Sequence, residues 1–267
     1  LDYDDVYIET NAKEDSNLLD LNQDGNHDLL WRNNATGKNS VWLMDGGERI
    51  GRASLPDVTD VSWSMEGVGD FDNDGNTDLV WRNNATGKNS VWLMDGSDRI
   101  GRASLPDVTD DSWDIKDVGD FDNDGNADLV WRNESTGKNS VWLMDGGERI
   151  GRASLPDVPG NNWDIKGVGD FDNDGNVDLL WRNELTGQNS VWFMDGSDRI
   201  GRESLPDVAD ASWDIKGVGD FDNDGNVDVL WRNETTGQNS FWLMDGSDRI
   251  GRASLPTVAS SNWQLII

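Results

Sequence analysis

Acidic residues at alternating positions are the most chemically informative feature of this chain. The pattern D-x-D-x-D-G-x-x-D occurs at Asp70, Asp72, Asp74 and Asp78, at Asp120, Asp122, Asp124 and Asp128, at Asp170, Asp172, Asp174 and Asp178, and at Asp220, Asp222, Asp224 and Asp228. A further copy reads Asp20, Asn22, Asp24 and Asp28. Carboxylates crowded into nine residues repel one another unless a hard cation lies among them. Ca²⁺ suits such a set, taking about six to eight oxygens at roughly 2.3–2.6 Å, whereas Mg²⁺ prefers compact octahedral shells that retain water. Alternate side chains of a tight loop turn inward, and Gly at the sixth place permits the turn. The seventh residue (Asn26, Asn76, Asn126, Asn176 or Asn226) is expected to offer its backbone carbonyl, and the ninth carboxylate to close the shell. The twelfth position, where an EF-hand places a bidentate Glu, is Trp in every copy. The expectation is one calcium ion per loop, five in all, with the Asn22 loop the weakest. Five divalent ions would cancel 10 of the 30 net negative charges.

The loops recur every 50 residues, and so does everything around them. Three phases of Trp, beginning at Trp31, Trp42 and Trp63, account for all 15 tryptophans in five repeats. Each unit reads as four short strands separated by turn signals. In the last full unit these run from Trp213 toward Gly219, Val227 to Arg232, Ser240 to Met244 and Arg249 to Ala253. Gly or Pro interrupts the chain too often for a 3.6-residue period to build helices. Four strands per repeat of this length predict an all-β propeller, its blades apolar on both faces because neighbours cover both.

The termini decide between a ring and an open array. Trp263 to Ile267 has the phase of a first strand, while Lys13 stands where the first repeat should have its Trp. Residues 18–267 are five whole periods, so the C-terminal strand is expected to complete the first blade and close a five-bladed ring. Closure hides edges that an open array would expose. Residues 1–17 fall outside the repeat as an N-terminal arm or linker, in which Val6, Tyr7 and Ile8 have strand character suited to pairing with another molecule.

The stretch G-V-G-D-F-D-N-D-G-N-x-D-L-L-W-R-N resembles the FG-GAP or VCBS-type repeat, the calcium-binding blade of integrin-α-like propellers, and the W-R-N and W-x-M-D-G segments resemble its bacterial, Trp-rich branch. The resemblance covers residues 18–267 and maps the family's metal loops onto the five sets above. It implies an extracellular or cell-surface propeller used in adhesion, carbohydrate binding or assembly. Integrin-like heads usually have seven blades, against five counted here.

Composition narrows the function further. With 52 acidic and 22 basic residues the chain has no basic patch to neutralise phosphates, which argues against nucleic acid and anionic membrane surfaces. No apolar run reaches the ~18 residues of a membrane span. The absence of Cys removes disulfide and thiol chemistry without fixing the compartment, and a chain beginning at Leu1 fits a processed or trimmed one. The single His, His27, occurs in one repeat alone and supports neither a triad nor a zinc site. Trp31-Arg32 and its copies read as core Trp with Arg paired to nearby Asp, or else as sugar sites between blades, giving a multivalent lectin-like module. N-x-S/T sequons at Asn34, Asn84, Asn133 and Asn233 fall on the predicted hairpin turns and are candidate glycosylation sites. The expected function is a non-enzymatic structural or adhesion module whose partners are copies of itself or other surface proteins.

Overall fold

The alternation of apolar segments and turn residues folds each repeat into one four-stranded antiparallel sheet, and five such sheets are present. The computed structural model describes residues 19–45, 48–260 and 262–266. The proposed arm, with Val6, Tyr7 and Ile8, lies outside the described residues. In the second blade the strands are Trp63–Gly69, Asp78–Asn83, Lys88–Trp92 and Ala103–Leu105, paired in that order. The first blade takes its first strand from the far end of the chain. Trp263–Ile266 pairs antiparallel with Leu29–Asn33, setting Trp31 opposite Leu265 and Asn33 opposite Trp263. The first strands of successive blades touch in turn, and Trp263–Ile266 touches those of both the second and the fifth blade. The ring closes as expected.

Side chains from both faces of each blade feed separate cores. Leu30, Val41 and Leu55 of the first blade pack with Met65, Val68, Leu79, Trp81 and Trp92 of the second. The last such layer joins Phe221, Leu230 and Phe241 of the fifth blade to Leu29, Trp31 and Leu265 of the first. Second strands such as Asp78–Asn83 are buried along their whole length.

Two features depart from the four-strand reading. First strands carry a bulge, with register shifts between Met65 and Gly67, Ile115 and Asp117, Ile165 and Gly167, and Ile215 and Gly217. The residues set apart by these shifts are Glu66, Lys116, Lys166 and Lys216. Fourth strands are continuous in the first and fifth blades (Glu48–Leu55 and Asp248–Leu255) but broken in the middle three. There, Ile100 N and Gly101 N both donate to the one Leu93 carbonyl, at 2.9 and 3.1 Å, so the ladder loses step. Among the described residues no helix is long and apolar enough to cross a membrane.

Candidate metal centre

In the second to fifth blades each acidic loop joins the first strand to the second, and in the first blade it leads into the second strand, Leu29–Asn33. Its conformation is wound by its own carboxylates. In the second blade Asp70 accepts from Asp74 N at 3.1 Å and Gly75 N at 2.8 Å. Gly75 has φ +84°, as the sharp turn at the sixth place requires. The fourth place is left-handed too, at Asn73 with φ 55° and at its counterparts Gln23, Asn123, Asn173 and Asn223.

Three carboxylates then converge. Asp70, Asp72 and Asp78 each bring an oxygen within 4.8 Å of the other two, as do Asp120, Asp122 and Asp128, Asp170, Asp172 and Asp178, and Asp220, Asp222 and Asp228. Two oxygens at about 2.4 Å from one Ca²⁺ lie at most about 4.8 Å apart, so the spacing fits a common ion. Asp72 Oδ1 is buried with no hydrogen-bond partner, a costly state for an anionic oxygen and one that a cation would relieve. The residues present therefore fit the expected metal.

The ninth carboxylate is fixed from both sides. Asp78 Oδ1 accepts from Met94 N at 2.8 Å and Oδ2 from Phe71 N at 3.2 Å, tying the loop to the short segment Met94–Asp95 that follows the third strand. It is fully buried, and burial pushes its carboxyl up to about 7, with repulsion from Asp72 and Asp70 adding to the rise and the two backbone donors opposing it. Burial likewise raises Asp128 to about 8, Asp178 and Asp228 to about 7, and Asp28 to about 6.

The fifth and seventh places are engaged in the turn itself. Asp74, Asp124, Asp174 and Asp224 stand outside the three-carboxylate groups. Their side chains wind the turn instead, Asp74 Oδ1 accepting from Asn76 N at 2.8 Å and Asn76 Nδ2 at 3.0 Å. The Asn side chains also join neighbouring loops: Gln23 Nε2 donates to Asn76 Oδ1 at 3.0 Å, Asn123 Nδ2 to Asn176 at 2.9 Å and Asn173 Nδ2 to Asn226 at 3.0 Å. In the first blade Asp20 and Asp28 keep their loop bonds, while Asn22 Nδ2 donates to Asp24 Oδ2 at 2.8 Å, and no three-carboxylate group forms among the described residues. Asn26 closes that turn on Asp24 as its counterparts do.

The repeated Trp-Arg pairs are core, but the arginines do not chiefly pair with Asp. Buried Arg82 donates to Asn89 Oδ1 at 3.0 Å and to two carbonyls of the following segment, Val108 at 3.1 Å and Trp113 at 2.9 Å. Its guanidinium also lies 5.2 Å from the Trp131 ring centroid, in the next blade. The contact to Asp114 is a longer 3.8 Å. The interblade carboxylates go instead to bulge lysines. Lys166 meets Asp214 of the next blade at 3.3 Å and Glu184 at 2.6 Å, and Lys116 meets Asp164 at 3.0 Å.

The sequons divide by exposure. Asn34 and Asn84 are exposed, whereas Asn133 and Asn233 are buried and cap their turns. Asn133 Oδ1 accepts from Thr136 N, and Asn233 Nδ2 donates to Ser212 Oγ at 2.8 Å, the nitrogen a glycan would need. His27 is buried against Phe221, ring centroids 5.0 Å apart.

Comparison with known proteins agrees with the geometry. A family model described as an FG-GAP-like repeat matches residues 20–81, 70–131, 120–181 and 170–231. The curated proteins give no match. Among solved structures, a chain of a nidogen/laminin complex is similar with TM-score 0.53 and 16% identity over 85% of this chain and 77% of that one. A protein of unknown function from Bacteroides caccae gives 0.45 and 13% over 85% and 72%. Virginiamycin B lyase from Staphylococcus aureus gives 0.43 and 13% over 85% and 79%. At such identities the likeness is one of fold.

Proposed function

Because the chain belongs to the FG-GAP-like repeat family, we propose that it is a non-enzymatic, calcium-stabilised propeller serving as a structural or adhesion module outside the cell or at its surface. The observation that carries this reading is the fourfold convergence of three carboxylates in loops already wound by backbone hydrogen bonds. Asp70, Asp72 and Asp78 and their counterparts would hold the ions, and bound calcium would supply charge neutralisation and a crosslink between loop and strands. Sites repeated almost identically around a ring suit a scaffold, and the one His is packed against Phe221 rather than set beside an acid pair. Micromolar cytosolic calcium would leave weak sites of this kind empty, which favours an extracellular setting, where modules bind at about 10⁻⁴–10⁻³ M. The nidogen chain of like fold was solved in a complex with laminin, in keeping with a protein partner for this one.

A calcium titration of the chelated full chain, followed by thermal unfolding, tests the metal. An ion at a hundred times its Kd adds about 2.7 kcal/mol. Several such ions should raise the Tm by more than about 10 °C in a chain of this size. An unchanged melt would remove calcium from the reading. Light scattering in millimolar calcium tests self-assembly. A mass well above 29.6 kDa that falls on deletion of residues 1–17 is expected, and a monomer would end the assembly part.

A further inference from the structure

Where the first blade meets the second there is a cavity of about 130 Å³ lined by Val58, Trp63, Trp81, Trp92 and Arg102. Three of its walls are indoles, and each indole carries an arginine. Arg32 lies 5.0 Å from the Trp81 ring centroid, Arg99 4.4 Å from that of Trp92 and Arg102 5.8 Å from that of Trp63. Trp81 and Trp92 pack with centroids 4.8 Å apart, and Trp63 is partly exposed. Arg32 holds two lining segments in place, its Nη2 donating to the carbonyls of Val58 at 3.1 Å and Trp63 at 2.8 Å. Arg102 is less engaged. It is exposed, and its Nε donates to Ser90 Oγ at 2.9 Å, which orients the guanidinium and leaves the terminal nitrogens for an acceptor from outside.

Charge sets this seam apart from the other four. Arg82, Arg132 and Arg232, the counterparts of Arg32, each have a carboxylate within 4 Å, supplied by Asp114, Glu134 and Glu234. Arg182 has Glu184 and Asp214 acting on it. At Arg32 both sources are replaced. Asn34 stands where the later blades have Glu134, Glu184 and Glu234, and Ser64 stands where they have Asp114, Asp164 and Asp214. Among the described residues no carboxylate offsets the Arg32 charge. The cleft is therefore an aromatic, locally positive pocket in a chain of net charge −30, and physiological salt screens distant exposed acids over about 8 Å.

Size, lining and charge together select the occupant. A cavity of ~150 Å³ holds one benzene ring, so this cleft takes about one six-membered ring. Indole walls suit an aromatic ring, packed offset or edge-to-face. Cations are disfavoured, because arginines already hold a cation–π position on all three indoles. A neutral ring would leave the Arg102 terminal nitrogens unused, whereas a carboxylate accepts two parallel N–H bonds from them. We propose that this one cleft binds a small aromatic carboxylate, of the benzoate or phenylacetate class, with its ring among the indoles and its carboxylate on Arg102. No acidic-loop residue lines the cleft, so the inference does not rest on the calcium reading.

The test titrates the full chain, in saturating calcium, with benzoate, phenylacetate, benzyl alcohol and benzylamine to about 20 mM, well above millimolar Kd values. Calorimetry and Trp fluorescence report binding. At least one carboxylate should saturate at about one site per chain, and at least about fivefold more tightly than the alcohol or the amine. Arg102→Ala should weaken it at least about tenfold, as loss of a charge-assisted pair does. Arg152→Ala, the same change in the third blade, should leave it unaltered. Ser64→Asp gives Arg32 the acid that the other seams carry and should also weaken binding. Three blades already fold with Asp at that position, so this variant decides the matter should Arg102→Ala misfold. No saturable binding of either carboxylate would overturn the proposal. So would equal or tighter binding of the alcohol or the amine, or an affinity unchanged in Arg102→Ala or in Ser64→Asp. A site count near five, or an equal loss in Arg152→Ala, would overturn the assignment to this one seam.

Discussion

Asp78 is held like a core residue and yet must be an anion to ligate a metal. Burial raises it to about 7, and Asp128 to about 8, so the metal-free fold binds protons there that the unfolded chain has released by about pH 4. A folded pKa above the unfolded one contributes stability that is complete below about pH 4 and lost as pH rises through 7 to 8. The chelated protein should therefore melt higher at pH 5 than at pH 8.5, and saturating calcium should reverse the order because the ion replaces the proton. A chelated melt that rises with pH would contradict this. A second prediction separates the loop positions. Asp72→Asn should abolish one calcium site, as Asp72 Oδ1 has no other partner, whereas Asp74→Asn should weaken its site far less, because Asp74 is engaged with Asn76 and stands outside the carboxylate group. Site-resolved titration checks both, and equal losses would restore Asp74 as a ligand. The sequence spacing made the loop and its glycine legible. It could not rank the acids, since a carboxylate that winds the turn and one that faces an ion share the same letter and the same alternation.

A blade keeps its shape because its hairpins are pinned from the next segment along. Gly87 ends the hairpin between the second and third strands at φ +71°, and its nitrogen donates to Asn83 O at 2.8 Å. Its own carbonyl accepts from Val108 N at 2.7 Å. A Cβ there would collide with the Val108 carbonyl, and the left-handed backbone adds about 1–2 kcal/mol of its own. Gly87→Ala should cost more than about 2 kcal/mol in denaturant unfolding, whereas Gly75→Ala, with open space around its Cβ, should cost only the backbone part. Equal costs would mean that the Val108 contact yields freely. Strand number, order and C-terminal closure were readable from the period and the turn residues. The bulges and the broken fourth strands were not. Lys166 in W-D-I-K-G looks like any strand residue until the neighbouring blade supplies Asp214, and the split at Ile100 arises from one carbonyl shared by two donors. The Arg-Asp pairing suggested by composition failed for a similar reason. The guanidinium lies deep, and backbone carbonyls at 2.9 and 3.1 Å lie nearer to it than the carboxylate at 3.8 Å.

At the scale of the ring, five blades of nearly one sequence are joined by unequal seams. Lys116 binds Asp164 between blades three and four, and Lys166 binds Asp214 between four and five. Asp117, where most repeats have Gly, adds a 2.8 Å bond from Val168 N across the first of these. Between blades one and five, the join rests on Trp263–Ile266, so removing residues 263–267 should expose the Leu29–Asn33 edge and lead to aggregation, seen as loss of monomer on size-exclusion chromatography. The seam between blades two and three is the mismatched one. Glu66 occupies the bulge that elsewhere holds Lys and faces Asp114, the counterpart of the lysines' acidic partners. Burial first, and then Asp114, push Glu66 up to about 7, with Arg82 and Lys116 only partly offsetting them. Its ionisation therefore costs stability as pH rises from its ordinary range near 4.5 through 7. Glu66→Lys would replace an acid facing an acid by the pair already present at Lys116 and Asp164. The expected gain is about 1 kcal/mol, or roughly 2–4 °C in Tm, larger at pH 8 than at pH 5 because only the ionised glutamate repels Asp114. Thermal unfolding of the calcium-loaded chain at the two pH values measures it. A loss at pH 8, or a larger gain at pH 5, would show that the seam tolerates its paired acids for a reason other than charge.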